Sequence, residues 1–339
     1  MRYLETSNER LSVIGLGTWQ FGSREWGYGA GYAEHEAGAI VKRAVELGVN
    51  LFDTAEVYGF GRSERILGTA LAEHRDEVFI ATKVFPVAPV PTVICRRAEG
   101  SARRLGVSEI DLYQIHWPNP LVPLHLQMEG MRQARNRGLV RNIGVSNFSL
   151  HRWQAAERAL GSTVLTNQVR FSLVDRRPLA SGMTTWAAEH DHVVMAYSPL
   201  AQGLLSGRYD ADHHPGGMRA NQAAFLPENL ERAADLIATL RRLGAEHDAT
   251  AAQVALAWIV SHAGVVAIPG ASSVSQLEHN TAAADLELSA DERAELLAAA
   301  ESFEPIDRRQ GLQQVSRQRL RQMGRFGGAG RAASTDPEQ

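Results

Sequence analysis

Four polar residues of this chain stand at the ends of apolar runs. They are Asp53 in NLFDTAEVYG, Tyr58 in the same segment, Lys83 closing VFIATK and His116 closing DLYQIH. Together these types describe a proton-transfer device. A free tyrosine is a weak acid, with a pKa of about 10. An ammonium beside it favours the phenolate, so Lys83 is expected to lower that value. An aspartate holds the lysine charged and in place, and a histidine orients a substrate oxygen. Such a set protonates an alkoxide as it develops, which carbonyl reduction requires. Read singly, Tyr58 fits packing in a turn, Asp53 a cap and His116 a satisfied core position. Lys83 is harder to set aside, because burying an unpaired ammonium costs on the order of several kcal/mol.

The elements that must carry these residues follow from hydrophobic patterning. Short apolar runs (SVIGLGTW, VNLFDT, EVFIATK, IDLYQIH, VRNIGVS, VLTNQVR, VVMAYS, VVAIP) alternate with amphipathic helical ones such as AGAIVKRAVELG, SERILGTALAE, TVICRRAEGSARRLG and LQMEGMRQARNRG. Gly48, Gly106 and Gly138 follow helical runs, as C-terminal stops do. Continuous apolar strands imply a parallel sheet covered by helices. The alternation predicts an α/β fold, a (β/α)₈ TIM barrel, with an open doubly wound sheet as the alternative. In a barrel, chemistry gathers where strands end. Asp53, Lys83, His116, Asn147 and Tyr197 all fall at such ends. Met1 to Val13 are expected to form a short hairpin closing the floor. Residues 1–303 read as a single barrel domain. Residues 202–228 read as a long loop able to cover a ligand. Residues 304–339 read as an Arg- and Gln-rich tail, helical around Arg317, Arg319 and Arg321, with a disordered end.

Composition excludes several classes. With 339 residues, 44% hydrophobic, the chain can bury a sizeable core. Its net charge of −3 argues against nucleic acid or an anionic membrane as partner. No apolar run is long enough for a membrane helix, and the start lacks a signal core. The single cysteine, Cys95, excludes an intrachain disulfide and fits a reducing cytoplasm. It reads as an incidental helix residue. The twelve histidines show no H-E-x-x-H or paired strand-end spacing, so no metal is expected. No G-x-S-x-G elbow is present, and GLGTW lacks the rest of a Rossmann fingerprint.

Five strings in order, GVNLFDTAEVYGFGRSERILG, VFIATKV, DLYQIHWP, GLVRNIGVSNFS and AYSPLAQGLLSGRY, resemble the aldo-keto reductases over about residues 10 to 290. With IPGASSVSQLEHN, the chain looks more like the branch of bacterial reductases and potassium-channel β subunits than the aldose-reductase branch. The resemblance implies that Tyr58 is the general acid, Lys83 and Asp53 tune it, and His116 binds the carbonyl. It implies nicotinamide contacts from Ser146, Asn147, Gln168 and Tyr197. It implies pyrophosphate contacts from Ser198, Leu200, Gln202, Gly203 and Leu204, and adenosine contacts from Gly270, Ser272, Gln276 and Asn280. Two departures concern that last end. No lysine or arginine stands near Gly270 or Gln276 to pair with a 2′-phosphate, and His279 replaces a common acidic residue. NADP(H) is still the favoured cofactor, with NAD(H) possible.

Trp19, Trp26, Tyr28, Phe85 and Trp117 are expected to wall a pocket for an apolar or ring-containing carbonyl substrate. The function implied is carbonyl reduction by hydride transfer. The alternatives are a redox-sensing or partner-binding protein of the channel β-subunit type, or a hydride-recycling isomerase or dehydratase. The short N-terminus and the intact four residues weigh against the binding role. Oligomeric state is not readable from the sequence.

Overall fold

The structure, a computed structural model, describes residues 1–22, 34–210, 213–216 and 222–303. A hairpin of β1 (Tyr3–Glu5) and β2 (Arg10–Ser12) precedes an eight-stranded parallel sheet. Its strands are β3 (Leu16–Gly17), β4 (Leu51–Asp53), β5 (Phe79–Val84), β6 (Ile110–Ile115), β7 (Val140–Ser146), β8 (Thr166–Arg170), β9 (Val193–Tyr197) and β10 (Val265–Ala267). Each pairs with the next in chain order. Parallel bridges from Ile14 to Ala267 and from Gly17 to Gly270 join the first strand to the last. The sheet therefore curls closed, the (β/α)₈ arrangement that the patterning predicts.

The closing seam explains the short first strand. A Cβ at Gly15 would meet the Leu51 carbonyl at 2.7 Å, and one at Gly17 the Ile268 carbonyl at 2.7 Å. Only glycine permits that approach of backbones. Inside the barrel, Leu51, Phe79, Leu112, Leu165, Val193, Met195 and Val266 pack together, and Leu11 of the hairpin joins them. Leu11 thus plugs the end where strands begin, which is the floor role expected of Met1 to Val13.

The helices are α1 (Glu34–Glu46), α2 (Arg62–Ala70), α3 (Pro91–Leu105), α4 (Leu124–Asn136), α5 (Leu150–Leu160), α6 (Arg177–Ala180), α7 (Met183–Glu189), α8 (Pro227–Arg232), α9 (Ala234–Glu246), α10 (Ala251–Val260), α11 (Val274–Ala282) and α12 (Ala290–Glu301). Their boundaries have local causes. Pro91 opens α3 and Gly106, in the left-handed region, ends it. Thr250 with Gln253, and Ser289 with Glu292, form capping boxes on α10 and α12. Their apolar faces make the second core layer around the sheet, with Ile40, Ile94, Met128, Met131, Trp153 and Trp258 fully or almost fully buried. Cys95 is buried in α3. Among the described residues no helix is long and apolar enough to cross a membrane. Trp26, Tyr28 and the 304–339 tail lie outside the described residues, as does part of the 202–228 loop.

Candidate active site

The ends of β4, β5 and β8 build the centre. Asp53 closes β4, and Lys83 comes one residue before the end of β5. The Lys83 Nζ donates to Asp53 Oδ1 and Oδ2 at 2.9 and 2.7 Å, and to the Thr54 carbonyl at 2.8 Å. Its fourth contact is the Tyr58 hydroxyl at 3.3 Å. Lys83 is fully buried and Asp53 nearly so. Gln168, on β8, donates to Asp53 Oδ1 at 2.7 Å. A buried ammonium with one carboxylate is the arrangement in which an ion pair survives loss of water. Burial pushes the Asp53 carboxyl upward, and Lys83 and Gln168 pull it back. Burial works against the Lys83 charge too, but Asp53 and Tyr58 outweigh it and hold the ammonium above its usual range.

Tyr58 corrects one expectation. Lys83 does pull its pKa down, but burial is larger and Asp53 adds to it, so the phenol lies above its ordinary value. The residue is a protonated phenol at neutral pH. The ring stays half-buried, with one edge on the cleft.

His116 follows β6, held by its N–H to the Val84 carbonyl at 3.0 Å. Its ring meets Tyr58 edge-on at 5.9 Å and Phe85 edge-on at 6.2 Å, and stacks on Trp117 at 6.2 Å. Burial, with the Lys83 charge second, lowers its pKa to about 3. The imidazole is therefore neutral. Its Nδ1 is buried with no hydrogen-bond partner among the described residues. An orphaned acceptor is tolerated better than an orphaned N–H. We therefore assign the ring proton to Nε2, where it can be donated to a ligand.

A cleft of about 610 Å³ opens over this centre. It runs from Trp19, Tyr58, Phe85, His116 and Trp117 past Asn147, Gln168 and Tyr197. It continues along Ser198, Leu200, Gln202 and Gly203 to Gly270, Ser272 and Gln276. Thus the two ends of the expected site belong to one groove. Ser146, Leu204 and Asn280 lie behind the lining. Ser146 Oγ donates to the Gln168 carbonyl at 2.9 Å, Leu204 is core, and Asn280 Nδ2 donates to the Gly270 carbonyl at 3.3 Å.

Asn147 is fixed on all sides. Its amide donates to the His116 carbonyl and Ser146 Oγ at 3.1 and 3.0 Å, and its oxygen accepts from the Tyr197 hydroxyl at 2.9 Å. Asn147, Ser198, Ala201 and Gln202 all take positive φ, at 62°, 50°, 47° and 61°. Such strain at successive strand ends is characteristic of functional loops. At the far end Ser273 caps α11 through the Gln276 N–H, while Gln276 Oε1 accepts from the Ser272 N–H and hydroxyl.

Sequence reasoning missed several residues of the lining: Gln20, Val57, Arg170, Arg208 and Tyr209. Gln20 Nε2 donates to the Ala271 carbonyl at 2.7 Å, so it joins the first loop to the last. Arg208 carried a signal, a cation beside a glycine in LLSGRY. Arg170 carried none, since alternation alone does not show that its side chain leans over the groove.

The aldo/keto reductase family model matches residues 13–301. This chain belongs to the aldo/keto reductase family. An uncharacterized oxidoreductase of Mycobacterium tuberculosis is 54% identical over 321 residues, covering 94% of this chain and 99% of the relative. An NADH-specific methylglyoxal reductase of Escherichia coli is 30% identical, covering 89% and 98%. The crystal structure of an aldo/keto reductase from Klebsiella pneumoniae with NADP and acetate superposes with a TM-score of 0.71 at 29% identity, covering 89% and 95%. As an aldo/keto reductase the chain is an oxidoreductase, and its barrel is the fold of its relatives.

Proposed function

We propose that this aldo/keto reductase reduces aldehyde or ketone carbonyls to alcohols, with NADP(H) as the favoured cofactor and NAD(H) as the alternative. The observation that carries the reading is the Tyr58 hydroxyl, 3.3 Å from a buried, charged lysine and on the wall of the cleft. The groove suits a dinucleotide, because one continuous channel links this centre to the first turn of α11. Bound there, a reduced nicotinamide supplies a hydride to the carbonyl carbon.

The chain's own residues do the rest. Asn147, already oriented by three bonds, and Gln168 would hold the carboxamide, and Tyr197 would take the face of the ring. Ser198, Leu200, Gln202, Gly203 and the Arg208 cation would hold the pyrophosphate. Gly270, Ser272 and Gln276 would hold the adenosine end. His116 Nε2–H and the Tyr58 hydroxyl donate to the substrate oxygen. Tyr58 gives up its proton as negative charge grows there, and Lys83 stabilises the phenolate that remains. Trp19, Phe85 and Trp117 keep water from the reacting oxygen and favour apolar or ring-bearing substrates.

The phosphorylated cofactor is favoured by the lining. Asp53 is the only carboxylate among the described lining residues, and it is spent on Lys83. Among the described lining residues no acid therefore waits at the adenosine end for ribose hydroxyls. The N–H groups of the α11 N-terminus suit a phosphate instead. Tryptophan fluorescence titrated with NADPH and NADH, followed by an aromatic-aldehyde panel, tests the reading. Oxidation of the reduced nicotinamide that depends on Tyr58 is expected. Cofactor binding without turnover of any carbonyl would defeat the reductase reading.

A further inference from the structure

Between Asp53 and Tyr58 the chain carries another acid, Glu56, whose side chain hydrogen-bonds none of the four central residues. Its Oε1 instead accepts the Phe85 N–H at 2.6 Å and Arg97 Nη1 at 2.8 Å. The same Arg97 nitrogen donates to the Phe85 carbonyl at 2.6 Å. Glu56 is in turn tied to β5, its own N–H donating to the Lys83 carbonyl at 3.3 Å. Both polar backbone groups of Phe85 are therefore gripped by one ion pair. Asn119 Nδ2 holds the next carbonyl, Pro86, at 2.8 Å.

The place of this grip matters. β5 ends at Val84, so Phe85 has left the sheet ladder and needs other partners to stay fixed. Its ring meets His116 edge-on and lines the cleft. The Glu56 and Arg97 side chains are 12% and 30% exposed, enough shielding for a charge-assisted bond to hold.

We infer that Glu56 and Arg97 are positioning residues whose ion pair fixes Phe85 against His116 and so sets the preference for ring-bearing over small carbonyls. This rests on the carbonyl-reductase reading. A ring in the pocket touches Phe85, whereas a short aliphatic aldehyde needs only Tyr58 and His116. Loosening the grip therefore penalises the first class selectively. Apolar pocket contacts discriminate by roughly 10- to 200-fold, which bounds the effect.

The test uses the full chain with Arg97→Met, Arg97→Lys and Glu56→Gln. Two readouts are taken: kcat and KM for benzaldehyde and propanal, and the dissociation constant of benzoate from tryptophan quenching. In Arg97→Met, kcat/KM for benzaldehyde is expected to fall about tenfold, mainly through KM, with propanal within about twofold. Benzoate affinity should fall by about the same factor. Glu56→Gln keeps an acceptor for the Phe85 N–H, and Arg97→Lys keeps a cation, so both should retain part of the preference. Equal loss on both aldehydes would show a merely structural role and overturn the inference. Unchanged selectivity and benzoate affinity would overturn it too, as would failure of the wild-type protein to bind benzoate. Benzoate affinities ordered as expected without any carbonyl turnover would support the grip on Phe85 and count against the reductase reading alone.

Discussion

At Tyr58 the proton and the charge left behind it are looked after by different neighbours. Burial keeps the phenol protonated, so the acid form is ready at neutral pH. Lys83 is the counter-charge of Asp53 throughout, and in the proposed reaction it would also stabilise the phenolate as it forms. Tyr58→Phe should lower kcat by about 10²- to 10⁴-fold, the range for a positioned general acid. Cofactor affinity should stay within about threefold, since the change removes no cofactor contact assigned above. Lys83→Met should also abolish turnover, but with a cost in stability of about 3–5 kcal/mol, because Asp53 is left buried without a counter-charge. Urea unfolding separates the two variants. His116 gives a pH prediction with a definite sign. Its folded pKa is about 3 against an ordinary 6.5. Between those values the unfolded chain binds more protons, so stability falls as pH drops through that window and is indifferent to this residue above it. His116→Asn should flatten the urea midpoint between about pH 7 and 5 by removing that term. That Asp53, Tyr58, Lys83 and His116 lie together was legible because the proposed chemistry needs those types at strand ends. The Gln168 bond to Asp53 and the Glu56 grip on Phe85 were not, because contacts between side chains on different strands and loops leave no local pattern.

Strands and helices were legible wherever burial imposed a period. β5 and β6 are buried along their whole length, and their sequences are mostly apolar, interrupted by Thr82 and Lys83 in β5 and by Asp111 and Gln114 in β6. The first strand was harder. SVIGLGTW looks long, yet only Leu16–Gly17 forms ladder pairs, with isolated bridges from Ile14 and Gly17 to the last strand end. The reason is the seam, where this strand must meet both β4 and β10 and glycine makes the approach possible. Gly15→Ala tests that account. Its new Cβ would press on the Leu51 carbonyl at 2.7 Å and the Leu51 Cγ at 2.9 Å. Backbone cannot yield as a side-chain tip does, so a loss of about 1–3 kcal/mol is expected. Thermal melting of the variant measures it, and an unchanged melting temperature would mean the seam is looser than the geometry shows. The loop-borne lining residues belong to this scale too. Arg170 and Gln20 reach the groove through the end of β8 and the turn after β3, whose geometry is set by packing rather than by composition.

For the whole molecule, the groove makes folding and cofactor binding one equilibrium. Its walls come from the first loop, the last loop and most strand ends between, so a dinucleotide lying in it binds the folded chain alone. At a free concentration of 100 times Kd, such a ligand adds about 2.7 kcal/mol to stability. For a chain of this size that raises the melting temperature by about 4 °C. The comparison between dinucleotides is more informative than either shift. NADPH and NADH share every contact except those to the 2′-phosphate. At equal concentration the larger shift should come from NADPH, because the proposed adenosine end offers a helix N-terminus and, among the described lining residues, no carboxylate. That difference is electrostatic, so raising ionic strength should shrink the NADPH advantage more than it changes the NADH shift. Arg208→Ala should weaken both cofactors similarly, since the pyrophosphate is common to them, and leave their ratio within about twofold. An NADH shift equal to or larger than that of NADPH at low salt would reassign the adenosine end to the unphosphorylated ribose. The centre around Tyr58 would stand unchanged, because nothing in its bonding depends on which dinucleotide fills the other end.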